Sequence, residues 1–264
     1  VGVGVDEAHE VARRLRDAAV AAARAAEVHP RLDETEPRRP EEAAHGVRGE
    51  RRDQAGQRSL PLDEERNQTI KNICDRFLAV VAILLASPLM AMVAILVRIT
   101  SRGPVIHRRR VAGRYGIEFD AFKFRTMVLD ADRVLAADPA LQRAFEVNHK
   151  LERDPRVTPI GKFLRKLSLD ELPQFFNVLM GQMSVVGPRM LSPGEVGRYG
   201  VHVPTLLSVK PGLTGLWQVS GRQRTTYERR IQLDVEYVET WTLWKDFWIL
   251  LKTPIEVFKG TGAF

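Results

Sequence analysis

Two adjacent carboxylates, Asp170 and Glu171, stand in KLSLDELPQFFNVLMGQMSVVGPR (residues 166–189), directly ahead of a proline and an apolar run that ends in glycine. Ser168 followed three residues later by Glu171 fits a capping box, in which each side chain satisfies an orphan amide at a helix start. Pro173 argues against that box. With Ser168 as N-cap it would be the fifth helical residue, where its missing N–H removes a hydrogen bond. Proline suits the first helical position, so the spacing predicts a start near Leu172-Pro173. Phe175, Phe176, Val178 and Leu179 would form its buried face and Gly181 its stop. Asp170 and Glu171 then lie at the positive end of the helix, which keeps a carboxylate ionised and also attracts an anionic ligand. Spacing alone leaves both capping and chemistry open.

Several basic residues share glycine- or proline-punctuated settings with this pair: Lys123 and Arg125 in FDAFKFRTM, Arg165, Arg189 in VGPR, and Arg222 in SGR. Singly, each reads as a solvated surface charge. Together with an acidic pair they suit a phosphorylated substrate, since arginine forks bind phosphate oxygens in bidentate fashion. Carboxylates without clustered His or Cys favour magnesium, shared between protein and substrate phosphates. Cys74 stands alone, which excludes an internal disulfide and fits a reducing, cytosol-facing setting. Neither a P-loop nor a dinucleotide fingerprint is present.

The elements that must position these residues begin with a membrane. Phe77 to Val97, FLAVVAILLASPLMAMVAILV, carries no ionisable group and is long enough to span a bilayer. It lies too far from the N-terminus for a signal peptide. Ser87-Pro88 sits at its midpoint, where proline invites a kink. Lys71 and Arg76 precede it and Arg98, Arg102 and Arg108 to Arg110 follow, so the flanks are positive on both sides. A kinked span and a helix-break-helix hairpin that returns to the same face fit these features equally.

The net charge of +7 is uneven. Residues 1–65 hold 11 Lys/Arg against 15 Asp/Glu, which leaves the remainder strongly basic. A basic surface admits nucleic acid, membrane or phosphorylated ligands. The aromatic residues do not interleave with the arginines as a nucleic-acid binder would require, and a non-catalytic membrane scaffold would need neither carboxylate. The chain opens without Met, as expected of a fragment or processed chain. Residues 6–28 read as a soluble helix and 29–66 as a charged, proline-containing linker. Beyond the apolar segment, residues 128–147 look helical apart from a break at Asp138-Pro139. Thr158 and Pro159 mark a helix start whose basic face carries Lys162, Arg165 and Lys166. VKPGLTGLWQVSGR reads as loop. From Tyr227 an amphipathic helix is expected, then a second, in WTLWKDFWILLKTPIEVF. The Trp241, Trp244 and Trp248 stripe there favours core packing over seating at a membrane interface.

From about Lys71 to Phe264 the chain resembles the bacterial sugar transferases, monotopic polyprenyl-phosphate hexose-1-phosphate transferases. The resemblance rests on six stretches in order: KNICDRFLAVVAILLASP, SRGPV, FDAFKFRTM, DPRVTPIGKFLRKLSLDELPQFFNVLMGQMSVVGPR, VKPGLTGLWQVSGR and LDVEYVETWTLWKDFWILLKTP. RRRVAGRYG departs from the glutamine-containing basic segment usual there. The resemblance implies a mainly helical α+β fold with 67–264 as catalytic domain, which leaves 1–66 as the N-terminal helix and linker read from composition. It also implies a re-entrant hairpin over about 71–98, broken at Ser87 and Pro88, and amphipathic interfacial helices. The activity implied is transfer of hexose-1-phosphate from a UDP-sugar, glucose or galactose favoured, to undecaprenyl phosphate, with release of UMP. Asp170 is implied as nucleophile and Glu171 as its partner, both at a Mg2+ ion, with Lys123, Arg125, Arg165, Arg189 and Arg222 on the substrate. The implied location is the cytoplasmic face of the bacterial inner membrane, with lipid but no nucleic acid as partner and with room for a homo-oligomer.

Overall fold

The computed structural model describes residues 60–62, 64–148, 151, 154–221 and 226–258. The helix expected over 6–28 and most of the expected linker lie outside the described residues. The last linker residues do not: Leu62 is buried in the core and Leu60 packs against it.

Helix α1 (Glu65–Thr100) contains the whole apolar segment. Lys71, Asp75 and Ala79, spaced by four, form one buried stripe, and Val93 and Val97 form another. Ala79 joins the main core beside Val178 and Val185, whereas Val93 and Val97 pack with Phe124 and Leu164. The residues facing away are large and apolar, among them Phe77, Leu84, Leu85, Met92 and Ile95. The expected division at Ser87-Pro88 is not an interruption, because the helix runs on through Pro88. Proline at 88 leaves the Leu84 carbonyl, four residues earlier, without its amide donor. The Ser87 hydroxyl donates to that same oxygen at 2.9 Å, so the Ser-Pro pair repairs locally the defect it creates.

Strands β1 (Ile106–Ala112) and β2 (Glu118–Phe124) form an antiparallel hairpin, registered from Ile106 opposite Phe124 to Ala112 opposite Glu118. Side chains of one strand face alternate, and in β2 the inward face is Phe119, Ala121 and then Lys123. The predicted break at Asp138-Pro139 separates α2 (Ala131–Ala136) from α3 (Pro139–Asn148). Helix α4 (Pro159–Lys166) starts as its sequence predicts, with the Thr158 hydroxyl accepting from the Gly161 amide at 3.0 Å.

A 3-10 turn (Leu169–Glu171) leads into α5 (Gln174–Leu179), and Pro173 is the N-cap, one residue from the first-turn position expected. Strand β3 (Ser184–Val186) follows, then the short helices α6 (Pro193–Val196) and α7 (Val203–Leu207). The stretch expected as loop instead holds strand β4 (Gly212–Thr214) and helix α8 (Leu216–Val219). Its glycines serve close approach: β4 pairs in parallel with β3, and a Cβ on Gly212 would lie 2.1 Å from the Gly187 amide nitrogen.

Helices α9 (Tyr227–Glu239) and α10 (Leu243–Phe258) close the body. Core packing holds for Trp241, which is buried, but not for Trp244, 74% exposed, or Trp248, also exposed. Leu243, Phe247, Leu251 and Ile255 share that outward stripe. A buried polar latch ties α10 to α1. Lys71 Nζ lies 2.6 Å from Asp246 Oδ2, the Tyr237 hydroxyl 2.7 Å from Asp246 Oδ1, and Trp241 Nε1 donates to Asp246 at 3.1 Å. One turn on, Asp75 accepts from the Val185 amide at 3.0 Å.

Candidate active site

The turn that carries Asp170 and Glu171 is set by the residue ahead of it. Ser168 takes a left-handed conformation (φ 55, ψ 21) at the end of α4 and makes no side-chain cap, so the capping box that Pro173 argues against does not form. A non-glycine residue there costs of order 1–3 kcal/mol and reverses the chain so that the dyad faces the β1–β2 hairpin. The Lys123 ammonium meets Glu171 Oε1 at 2.5 Å. Asn177 fixes the strand that carries Lys123: its amide nitrogen donates to the Asp120 carbonyl at 2.8 Å, and its oxygen accepts from the Phe122 amide at 2.9 Å.

Asp170 is 8% exposed. Burial pushes its carboxyl above the ordinary aspartate range and the Glu171 charge adds to this, while Lys123 and Arg165 pull it back. Arg165 is held in place by its Nε donating to the Thr126 hydroxyl at 2.9 Å. Helix α4 can sit this close because residue 161 is glycine. A Cβ there would lie 2.1 Å from the Thr126 carbonyl oxygen.

Arg189 follows β3 and lies with its guanidinium over the Trp217 ring, 5.2 Å from the centroid. Burial disfavours its charge and Glu171 supports it, which places it within electrostatic reach of the dyad. Lys123, Arg165 and Arg189 are therefore brought together with Asp170 and Glu171. Arg125 is not: its Nη2 donates to the Ser101 carbonyl at 2.7 Å, at the far end of α1, and its guanidinium packs against Gly103. Arg222 lies outside the described residues.

Residues that sequence reasoning missed complete the basin. The hairpin register puts His107 opposite Lys123 and Arg109 opposite Ala121, so both share the inward face. Burial first, then Lys123 and Arg109, hold the His107 pKa below its usual value. Arg109 pairs with Glu195 at 3.3 Å, whereas Arg110 turns outward to Glu118 and Asp120. Behind Arg189 stand Arg230 and Asp234, both buried on α9. An inward-facing arginine was detectable only by pairing the strands first. Arg230 and Asp234, four apart on an amphipathic helix, look in sequence like a surface ion pair.

Among the described residues no group of three or more His, Cys, Asp or Glu side chains could hold a metal by itself. The donors present are the two dyad carboxylates. They fit a magnesium ion that takes its other oxygens from substrate phosphates and water. The arrangement as a whole is a buried carboxylate beside a second one, at the edge of an arginine- and lysine-lined basin suited to phosphate groups.

The sequence model of the bacterial sugar transferase family matches residues 66–260. The undecaprenyl-phosphate galactose phosphotransferase of Salmonella typhimurium is 43% identical over 208 residues, covering 77% of this chain and 43% of that protein. The exopolysaccharide production protein ExoY of Rhizobium meliloti is 41% identical over 198 residues, 74% of this chain and 88% of that protein. The UDP-glucose:undecaprenyl-phosphate glucose-1-phosphate transferase of Escherichia coli is 38% identical over 207 residues, 75% of this chain and 42% of that protein. The chain thus spans less than half the length of the Salmonella and Escherichia relatives and most of the length of ExoY.

Proposed function

The chain belongs to the bacterial sugar transferase family, and on that premise we propose that it transfers hexose-1-phosphate from a UDP-hexose, glucose or galactose, to undecaprenyl phosphate. The products are UMP and a polyprenyl diphosphate-sugar, the first lipid-linked unit of an exopolysaccharide, capsule or O-antigen. The observation that carries the reading is the buried Asp170 beside the Lys123–Glu171 pair, with Arg165 and Arg189 on the same basin.

In the first displacement Asp170 attacks the β-phosphorus of the donor. The bond from that phosphorus to the bridging oxygen breaks, its electron pair leaves with UMP, and the sugar phosphate stays on Asp170 as an acyl phosphate. In the second, a phosphate oxygen of the lipid attacks the same phosphorus and returns the Asp170 carboxylate. Two displacements let a soluble donor and a lipid acceptor use one site in turn. The obstacle in each is repulsion between anions, which Lys123, Arg165 and Arg189 offset. Asp170 and Glu171 would hold a magnesium ion that adds positive charge at the diphosphate.

The membrane seat is part of the proposal. Both buried stripes of α1 dock on one globular body, so the free stretch from Ala79 to Val93 rises only about 21 Å. A hydrocarbon core is about 30 Å thick. With both ends held on the cytoplasmic side, the outward Phe77, Leu84, Leu85 and Met92 would sink into one leaflet along the helix, with Ser87-Pro88 near the deepest point. The outward stripe of α10, with Trp244 and Trp248, lies at headgroup level beside it.

The test is UMP release from UDP-glucose and UDP-galactose by purified protein supplied with undecaprenyl phosphate. Transfer is expected from the wild type, is lost in Asp170→Asn because an amide cannot form the acyl phosphate, and falls severely in Glu171→Gln. Chelation stops it and magnesium restores it. Transfer retained by Asp170→Asn removes Asp170 as nucleophile.

A further inference from the structure

Arg230 is the most conspicuous unsatisfied cation near the basin. The residue is 9% exposed, and neither Nε nor Nη2 has a hydrogen-bond partner among the described residues. Buried charged donors left without acceptors are costly and call for an explanation. The neighbouring carboxylate does not supply one. Asp234 Oδ2 is 3.8 Å from Arg230 Nε, beyond hydrogen-bonding distance. The Asp234 oxygens are already engaged by the Tyr199 hydroxyl at 2.7 Å and the Arg189 amide at 3.4 Å.

The same ring holds a second cation. The Arg230 guanidinium lies 5.0 Å from the Trp217 centroid and Arg189 lies 5.2 Å from it. Arg230 also lies over Tyr227, which Arg198 covers at 4.1 Å. Arg109, Arg189, Arg198 and Arg230 therefore gather around two carboxylates, Glu195 and Asp234. Burial opposes the Arg189 charge, and Arg230 and Arg109 oppose it further. A dianion bound between Arg189 and Arg230 relieves this repulsion and fills the empty donors.

Resting on the reading proposed above, we infer that Arg230, with Arg189, binds the nucleoside-side (α) phosphate of the donor, so that the nucleoside monophosphate leaves from a guanidinium pair seated on Trp217. The order of residues sets the register. Arg189 feels the Glu171 charge and shares the Trp217 ring with Arg230, so with the β-phosphorus at Asp170 the α-phosphate falls at the Arg230 end. When the bond between the β-phosphorus and the bridging oxygen breaks, the electron pair passes to the α-phosphate, and Arg230 meets that charge.

The experiment compares wild type, Arg230→Met and Arg230→Lys, each as the full chain in detergent. Affinity for UMP and for uridine is measured by calorimetry, KM for UDP-hexose and for undecaprenyl phosphate by transfer, and folding by thermal unfolding. Methionine keeps the apolar stem against Trp217 and Tyr227. A lost charge-assisted hydrogen bond corresponds to about tenfold to hundredfold weaker UMP binding, with uridine affinity and acceptor KM unchanged and donor KM raised. Lysine recovers part of the loss. If Arg230→Met does not fold, Arg230→Lys carries the test, with a smaller loss confined to UMP and donor. UMP affinity equal to wild type in a folded variant, or equal losses for UMP and uridine, overturns the inference while wild-type transfer stands. A shift in acceptor KM alone overturns it in favour of the lipid phosphate. Wild-type protein that neither binds UMP nor transfers sugar phosphate overturns the underlying reading and the inference with it.

Discussion

Removing the charge of Lys71 tests how helix α1 is fastened to the rest of the body. Its ammonium is almost wholly buried and pairs with Asp246 at 2.6 Å. Taking one partner from a buried pair costs about 3–5 kcal/mol, because the other charge is left uncompensated. In Lys71→Met, Asp246 keeps two neutral donors, the Tyr237 hydroxyl and Trp241 Nε1. A cavity of about 30 Å3 lined by Lys71, Asp75 and Tyr237 also gives a water molecule room to enter. Both features place the cost near the lower end, about 3 kcal/mol. For a body of this size each kcal/mol lowers Tm by about 2–4 °C, so unfolding in detergent micelles, followed by intrinsic fluorescence, should move down by about 6–12 °C. Adding Asp246→Asn to Lys71→Met should recover part of that loss, since the closer of the two carboxylates facing Lys71 loses its charge and Asp75 alone stays without its cation. A Lys71→Met variant that unfolds within about 2 °C of wild type, or a double variant as unstable as the two single losses summed, refutes the pairing as the fastening.

Three further outcomes follow from the geometry. Gly161→Ala drives a Cβ against the Thr126 carbonyl; overpacking of about 1–3 kcal/mol should lower Tm modestly and cut transfer at least about tenfold, because α4 carries Arg165 away from Asp170. The Asp234 carboxyl is raised by burial from 3.8 to about 6, so the native state keeps this proton longer than the unfolded chain. Stability from Asp234 is therefore present below about pH 4 and falls by about 3 kcal/mol as pH rises through 6; Tm against pH should flatten over this window in Asp234→Asn, and an unchanged slope would contradict the shift. Single cysteines at Arg66 and Arg102, both exposed, introduced after Cys74→Ser, should both resist membrane-impermeant thiol reagents in intact cells and react after lysis; labelling of either from outside restores a full span.

Much of the scaffold was legible because its signals are local. Thr158-Pro159 fixes a helix start through one hydroxyl and one ring, and Asp138-Pro139 breaks a helix the same way. Asp170 and Glu171 were readable as a pair because they adjoin a proline-marked helix start. What stayed hidden depends on long-range pairing. Lys71 and Asp246 are 175 positions apart, and nothing in either neighbourhood announces the other. Arg109 faces inward and Arg110 outward only because of the hairpin register. The glycines of VKPGLTGLWQVSGR resemble loop punctuation, but at Gly212 and Gly187 the missing side chain is what lets two strands meet. Arg125 misled for the opposite reason: alternation would set it on the face of Lys123, but β2 ends at Phe124 and the Arg125 guanidinium reaches instead to the Ser101 carbonyl at the end of α1.

The most direct test of the covalent route omits the lipid. Purified protein is mixed with UDP-glucose or UDP-galactose in the absence of undecaprenyl phosphate, released UMP is quantified, and the intact protein is weighed by mass spectrometry. The account predicts about one equivalent of UMP per active site, a mass increase of one hexose phosphate, its disappearance on later addition of undecaprenyl phosphate, and neither signal in Asp170→Asn. UMP that appears only when donor and lipid are both present, with no labelled protein at any time, would contradict it and leave Asp170 as a general base or metal ligand in a ternary complex.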